Sequence, residues 1–226
     1  MSHLRPESGP ADPEIITKPW LGIGTAPNQP TFGTFHSFCL KFLKTTPHLK
    51  ALGMAPNFTI IDSQQQKELI NELIKHQPNT LGRKPKDFLA NISKIKQCPR
   101  LIHAELLANA ASDIQPIFNP YNQKLQQLNC VDFDDLLLYT HDILSTQPNE
   151  QEKMNEKYEF IIIDEYQDTN QIQNDITILL AKTHQNICVV GDFDQTIYSW
   201  RGAKIENLLE FNHHFPTTKT HKLETN

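Results

Sequence analysis

The sequence predicts an α/β protein, a parallel sheet with an all-helical module inserted into it. Two observations carry that expectation. Phe160-Ile161-Ile162-Ile163 and Ile187-Cys188-Val189-Val190 are continuous apolar runs, separated by a segment with Ile172, Ile176, Leu179 and Leu180 on one helical face. Strand, helix, strand is a βαβ unit, and unbroken apolar strands mark a parallel sheet covered on both faces. The second observation is the stretch from Ile61 to Asn149, where apolar residues recur at helical spacing and no strand pattern interrupts them.

Taken in order, residues 1–30 hold six prolines and little periodicity, so an irregular segment is expected there. Residues 31–60 open the α/β core: Phe35, Phe38, Phe42 and Leu43 give a helix one apolar face, and Pro47 stops it. Residues 61–150 form the helical insertion. Ser63 with Gln66 reads as a capping box ahead of Leu69, Ile70, Leu73 and Ile74. Further apolar sets follow at Phe88, Leu89, Ile92 and Ile95, at Leu101, Leu106 and Leu107, and at Phe118, Tyr121, Leu125 and Leu128. Asp132 is placed to cap the helix carrying Leu136, Leu137, Tyr139, Ile143 and Leu144, and prolines punctuate these segments. Residues 151–226 return to the α/β core.

Composition excludes several classes. With 38% hydrophobic and 21% charged residues over 226 positions, the chain suits a globular protein with one good core or two modest ones. No apolar run approaches the roughly 20 residues needed to cross a bilayer, and Met1 to Pro13 has no apolar stretch for a secretory signal. A cytoplasmic location with no membrane partner is expected. Cys39, Cys98, Cys130 and Cys188 lie far apart without a Cys-x-x-Cys pair, which fits buried reduced thiols and not a zinc site or disulfide framework. His213 and His214 read as a solvated helix end. The net charge of −5 advertises no basic footprint for nucleic acid, so that case must come from local motifs.

The chemistry concentrates after the first strand, which runs directly into Asp164-Glu165. Ligands of open α/β sheets bind at the carboxyl ends of strands. Two carboxylates there suit nucleotide hydrolysis, one holding Mg²⁺ and the other taking a proton from attacking water. A plainer reading leaves Asp164 as the cap of the following helix. Trp200 sits in Tyr198-Ser199-Trp200-Arg201-Gly202, polar on both sides, which favours an exposed ring over a core tryptophan. Arg83, Lys84, Lys86, Lys94, Lys96 and Arg100 cluster against Asp87 alone. Such a run is either a solvated face or a contact to duplex phosphates.

Two longer strings contain these residues. Asp164-Glu165-Tyr166-Gln167-Asp168-Thr169-Asn170 and Gly191-Asp192-Phe193-Asp194-Gln195-Thr196-Ile197-Tyr198-Ser199-Trp200-Arg201-Gly202-Ala203 resemble the Walker B and coupling motifs of UvrD/Rep-type superfamily 1 DNA helicases. Gly33-Thr34-Phe35-His36-Ser37-Phe38 resembles a DNA-contact motif of that family, Val131-Asp132-Phe133-Asp134-Asp135-Leu136-Leu137 a further signature, and Leu223-Glu224-Thr225-Asn226 the opening of the next motif. The resemblance covers Pro30 to Asn226. It implies a partial RecA-like P-loop NTPase sheet with a helical insertion, from an enzyme that uses ATP and Mg²⁺ to translocate 3′ to 5′ on single-stranded DNA. Duplex DNA and repair or replication proteins are the implied partners.

The resemblance also assigns roles. Asp164 would bind Mg²⁺, Glu165 would polarise the attacking water, and Gln195 would sense the γ-phosphate and report it to the DNA side. Tyr198 and Trp200 would stack on bases, Arg201 would link cleft to DNA groove, and Thr34 and His36 would lie near the DNA backbone. For Gln195 the residues alone also permit a capping amide.

No Gly-x-x-x-x-Gly-Lys-Ser/Thr string occurs, although that loop normally cradles the phosphates. Gly22-Ile23-Gly24-Thr25 has no following lysine. The expectation is therefore a fragment of the first motor domain, inactive alone, with one sheet edge open. The other reading is a non-catalytic DNA- or partner-binding module. Intact Asp164, Glu165 and Gln195 favour the fragment, since a binding relic has no chemical use for them.

Overall fold

A computed structural model describes residues 20–25, 29–77, 82–195 and 203–222. One sheet holds β1 (Trp20–Thr25), β2 (Gln29–Thr34), β5 (Phe160–Ile163) and β6 (Ile187–Val189) in the order β2-β1-β5-β6. The strands β5 and β6 pair in parallel, whereas β1 runs antiparallel to both β2 and β5. This corrects one expectation. Part of the supposedly irregular segment is strand, because Leu21-Gly22-Ile23-Gly24 alternates with a period of two over too few residues to stand out among prolines. The strand β5 is paired on both sides, by β1 and β6, and the outer sides of β2 and β6 have no strand partner among the described residues. Pro30 is tolerated because β2 is outermost in the sheet.

On one face of the sheet, Ile161 and Ile163 share a core with α1 (Phe35–Thr45), α6 (Phe133–Thr146) and α8 (Gln171–Ala181). The other face is not covered by any described residue. Phe160 is 62% and Ile162 54% exposed, against 1% for Ile161 and 0% for Ile163. The expectation of strands buried on both faces is thus corrected: the burial alternates. Cross-strand neighbours share a face, and the register aligns Phe32, Gly22, Ile162 and Cys188 in one row. Phe32 and Cys188 are exposed as well, so the open face is apolar.

The insertion has its own core, built from α2 (Ser63–Lys75), α3 (Pro85–Lys96), α4 (His103–Asn109) and α5 (Gln115–Gln127). Ile70, Phe88, Ile92, Ile117 and Tyr121 are at its centre. The chain leaves and re-enters the α/β core through β3 (Thr59–Ile60) and β4 (Cys130–Val131), which pair in parallel, so the helical stretch is interrupted by a two-residue strand. The α2 cap is one residue earlier than the sequence suggests: Asp62 accepts from the Gln65 amide at 2.8 Å and Gln65 Oε1 from the Asp62 amide at 3.0 Å. Asp132 caps α6 as expected, accepting from the Asp135 amide at 2.9 Å.

The basic stretch is in the main a solvated face, with Lys96 as the exception. Lys96 is 1% exposed and its Nζ lies 2.7 Å from Asp132 and 2.8 Å from Asp135. Tyr121 donates to the same Asp132 oxygen at 3.0 Å. Arg100 pairs with Asp142, and Arg83 with Asp113 at 3.2 Å. Lys84, Lys86, Lys94 and Arg100 remain exposed. The reason is helical geometry: Lys96 lies on the same apolar face as Phe88, Ile92 and Ile95, where only a buried counter-charge can hold it. Burial pushes the Asp135 carboxyl up to about 7, with the Asp132 charge adding to it. Burial works against the Lys96 charge, but Asp132 and Asp135 hold its pKa above the usual lysine range.

The remaining elements are α7 (Pro148–Lys157), α9 (Glu206–Leu209) and α10 (Phe211–His214), where His213 and His214 are exposed as expected. All four cysteines are free thiols, but only Cys39 is buried as expected, its pKa pushed up by burial to about 12; Cys98 and Cys130 are half-buried and Cys188 is exposed. No described helix is long and apolar enough to cross a membrane.

Candidate functional site

The sheet register brings Thr34 and Asp164, two of the predicted site residues, to one edge. Gly33, Leu21, Ile163 and Val189 form one row across the four strands. Because β2, β5 and β6 point the same way, the residues that follow, Thr34, Asp164 and Val190, emerge together where α/β sheets bind ligands. Backbone bonds extend the β5–β6 pairing past its last residues, with Val190 donating to Ile163 at 2.8 Å and Tyr166 to Val190 at 2.9 Å. Tyr166 is fully buried and its hydroxyl donates to Asn174 at 2.6 Å, which anchors the turn to α8.

Asp164 and Glu165 are both exposed. Asp164 does not cap α8; Asn170 does, accepting from the Gln173 amide at 3.0 Å. One Asp164 oxygen accepts from the Glu165 amide at 3.0 Å, and the other makes no bond to a described residue. Glu165 has φ 52° and ψ 44°, a left-handed conformation that costs a side-chain-bearing residue about 1–2 kcal/mol. Strain of this kind gathers at functional sites.

The second string lies alongside. Asp192, Asp194 and Gln195 are exposed around a short 3₁₀ turn, Phe193–Gln195. Asp192 accepts from the Asp194 amide at 2.9 Å and from the Gln195 Nε2 at 2.6 Å. Among the described residues, no lysine or arginine pairs with Asp164, Glu165, Asp192 or Asp194. Half-buried Asp168 has its pKa raised, first by burial and then by the Glu165 charge. Among the described residues these carboxylates have no paired cation; their oxygens are hard donors of the type Mg²⁺ takes, but no three described His, Cys, Asp or Glu side chains form a metal-holding group.

Gln167, which the sequence reading passed over, is 1% exposed. Its Nε2 donates to Glu165 at 2.7 Å and its Oε1 accepts from the Asp192 amide at 3.1 Å. Only its place two residues after Glu165 and next to Asp168 hinted at this, and that gives no sign of burial. Gly191 permits the approach, since a Cβ there would come within 2.7 Å of the Gln167 Oε1.

The N-terminal pair is placed differently. Thr34 caps α1, its hydroxyl accepting from the Ser37 amide at 3.2 Å, while its carbonyl accepts from the Ser37 hydroxyl at 2.8 Å. His36 is only 9% exposed and its ring meets Phe133 edge-on at 6.0 Å. Thr34 therefore shares the edge, and the His36 ring faces inward. Tyr198, Trp200 and Arg201 lie outside the described residues.

These features define an α/β domain with a helical insertion and an acidic, ligand-facing strand edge. Residues 16–216 match the family model described as the UvrD/REP helicase N-terminal domain, and the chain belongs to that family. It is 36% identical over 197 residues to the ATP-dependent DNA helicase PcrA of Staphylococcus epidermidis RP62A, and 36% identical over 198 residues to PcrA of Staphylococcus aureus Mu50. Each alignment covers 85% of this chain and 27% of the relative, so the chain spans about a quarter of the length of those proteins.

Proposed function

We propose that this chain contributes the acidic half of a nucleotide-hydrolysis site to an ATP-dependent DNA helicase, with a RecA-like core, that translocates 3′ to 5′ on single-stranded DNA and unwinds duplex in repair or replication. The observation that carries this reading is the pair Asp164-Glu165, exposed at the carboxyl edge beside Gln195 in a chain of this family. Asp164 would be the residue that holds Mg²⁺. Bound Mg²⁺ supplies neutralisation of the phosphate charge. Glu165 accepts a proton from the attacking water, and Gln195 senses the γ-phosphate. Tyr198 and Trp200 stack on bases, which is worth about 1–3 kcal/mol per base and reads no sequence. Arg201 connects the two sites, and Thr34 and His36 shape the segment nearest the DNA backbone.

The phosphate loop is not among these 226 residues, so the isolated chain with Mg²⁺ and single-stranded DNA should turn over no more ATP than its Glu165→Gln variant. Joined to the phosphate loop and second motor domain of PcrA, the same chain should hydrolyse ATP with DNA stimulation. There Glu165→Gln should cut turnover about 10²–10⁴-fold while nucleotide binding persists, the usual worth of a general base. A loss smaller than about tenfold would remove Glu165 from that role.

A further inference from the structure

The two acidic strings are joined by one continuous hydrogen-bond path. Glu165 accepts from the Gln167 Nε2 at 2.7 Å, the Gln167 Oε1 accepts from the Asp192 amide at 3.1 Å, and Asp192 accepts from the Gln195 Nε2 at 2.6 Å. The two bonds of Gln167 are within the ordinary N–H···O range, and the bond from Gln195 to the Asp192 carboxylate is slightly shorter. Three of the four side chains are exposed and free to rearrange, but Gln167 is sealed at 1% exposure. Its amide has a fixed sense: the nitrogen must face the Glu165 carboxylate, which only accepts, and the oxygen must face the Asp192 N–H, which only donates. A flipped amide would oppose oxygen to oxygen and nitrogen to N–H. The buried group therefore has one arrangement satisfying both ends, and a shift of either end is felt at the other.

We infer that Gln167 is a positioning residue that fixes the carboxylate of Glu165 and ties it mechanically to the Asp192–Gln195 turn. Glu165 needs such a restraint, because its side chain is exposed and springs from a backbone in the left-handed region. The tie is also selective. Removing the Gln167 side-chain donor frees Glu165, whereas displacing its oxygen frees only the Asp192 end. Gly191 offers the second operation, because an added Cβ collides with the Gln167 Oε1 at 2.7 Å and with Leu208 at 3.0 Å. The inference rests on the functional reading only for the names of the roles. The bond path itself can be tested without nucleotide or DNA.

The test is the response of amide signals in the ¹⁵N–¹H spectrum of the full chain to Glu165→Gln, which exchanges the accepting carboxylate for an amide. In the parent chain that substitution should shift the Gln167 side-chain amide, the Asp192 backbone amide and the Gln195 side-chain amide together. In a Gln167→Met background, similar in size but without donor or acceptor, the Asp192 and Gln195 responses should be lost while the remaining spectrum is retained. In a Gly191→Ala background the Gln167 amide should still respond and Asp192 should not. A purely structural Gln167 would leave the Asp192 response intact in both backgrounds, and that result overturns the inference. Should Gln167→Met fail to fold, Gly191→Ala decides alone, with the same two outcomes. An inactive PcrA chimera combined with an intact relay would instead count against the hydrolysis reading.

Discussion

Two clusters of aspartates in this molecule look alike in sequence and have opposite fates. Asp132, Asp134 and Asp135 surround Lys96 where α3 of the insertion meets α6 of the core, and Asp132 and Asp135 are almost fully buried. Asp164, Glu165, Asp192 and Asp194 stand in water at the end of the sheet with no described cation near them. The first cluster is closed. Its carboxylates cap a helix, hold an ammonium and accept the Tyr121 hydroxyl. Among the described residues the second has no paired cation and leaves carboxylate oxygens without a partner, which is the condition for taking a cation from solution. A run of carboxylates thus says little about function until its partners are known.

The largest expected difference between the clusters is in stability. Lys96→Met leaves Asp132 and Asp135 buried without their cation. Breaking a buried pair by removing one partner typically costs about 3–5 kcal/mol. In a chain of this size that lowers the melting temperature by roughly 10 °C, which calorimetry reads directly. A loss below about 1 kcal/mol would mean the seam is wet and the contrast is not one of burial.

Next in size is a pH effect confined to the closed cluster. Asp135 has a folded pKa of about 7, raised by burial and then by the Asp132 charge. Its unfolded value is about 3.9. Between those values the folded state binds more protons than the unfolded one, so stability falls as pH rises from roughly 4 to about 7. The slope for one proton is about 1.4 kcal/mol per pH unit. Asp135→Asn, which imitates the protonated form and keeps an acceptor for the Asp132 amide, should remove that component. Urea melts of both proteins across the window should converge at its acid end and diverge toward neutrality. Parallel curves would place the titration elsewhere.

The comparison also explains what the sequence could reveal. Helical spacing located α1, α3, α5, α6 and α8, because one-sided burial imposes a period that survives substitution. The carboxylate pair after β5 was legible because a strand end is a fixed topological place. Partners across the fold were not. Lys96 lies 36 positions before Asp132, so it read as one more residue of a surface run. Gln167 was missed for the same reason, as its second partner lies 25 positions away in Asp192. The unbroken Ile161-Ile162-Ile163 run suggested two covered faces, yet apolarity records what a strand can bury and not what is packed on it. The short β1 strand lies in a proline-rich setting that masks a period of two.

The smallest effect is the sharpest check, because it applies one chemical change to both clusters. Asp→Asn keeps shape and one carbonyl oxygen while removing charge. At Asp132 that oxygen can still accept from the Asp135 amide and preserve the α6 cap. With that oxygen kept for the cap, the asparagine NH2 faces the Lys96 ammonium, so the charged bond at 2.7 Å is lost, and hydrogen bonds to charged groups contribute about 1.5–3 kcal/mol. At Asp164 the oxygen can still accept from the Glu165 amide, no ion pair is lost, and like-charge repulsion with Glu165 is relieved. In water that relief is screened, so Asp164→Asn should change stability by no more than about 0.5 kcal/mol, with any gain fading as salt is added. Mg²⁺ separates the two further. If Asp164 holds the ion, millimolar MgCl₂ should shift the amide signals of Asp164, Glu165 and Asp192 in the parent chain, and Asp164→Asn should abolish those shifts. Asp132→Asn should leave them in place, since its carboxylate is already committed to Lys96. Equal stability losses at the two positions, or Mg²⁺ shifts that survive Asp164→Asn, would show that the open cluster is no more available to a ligand than the closed one.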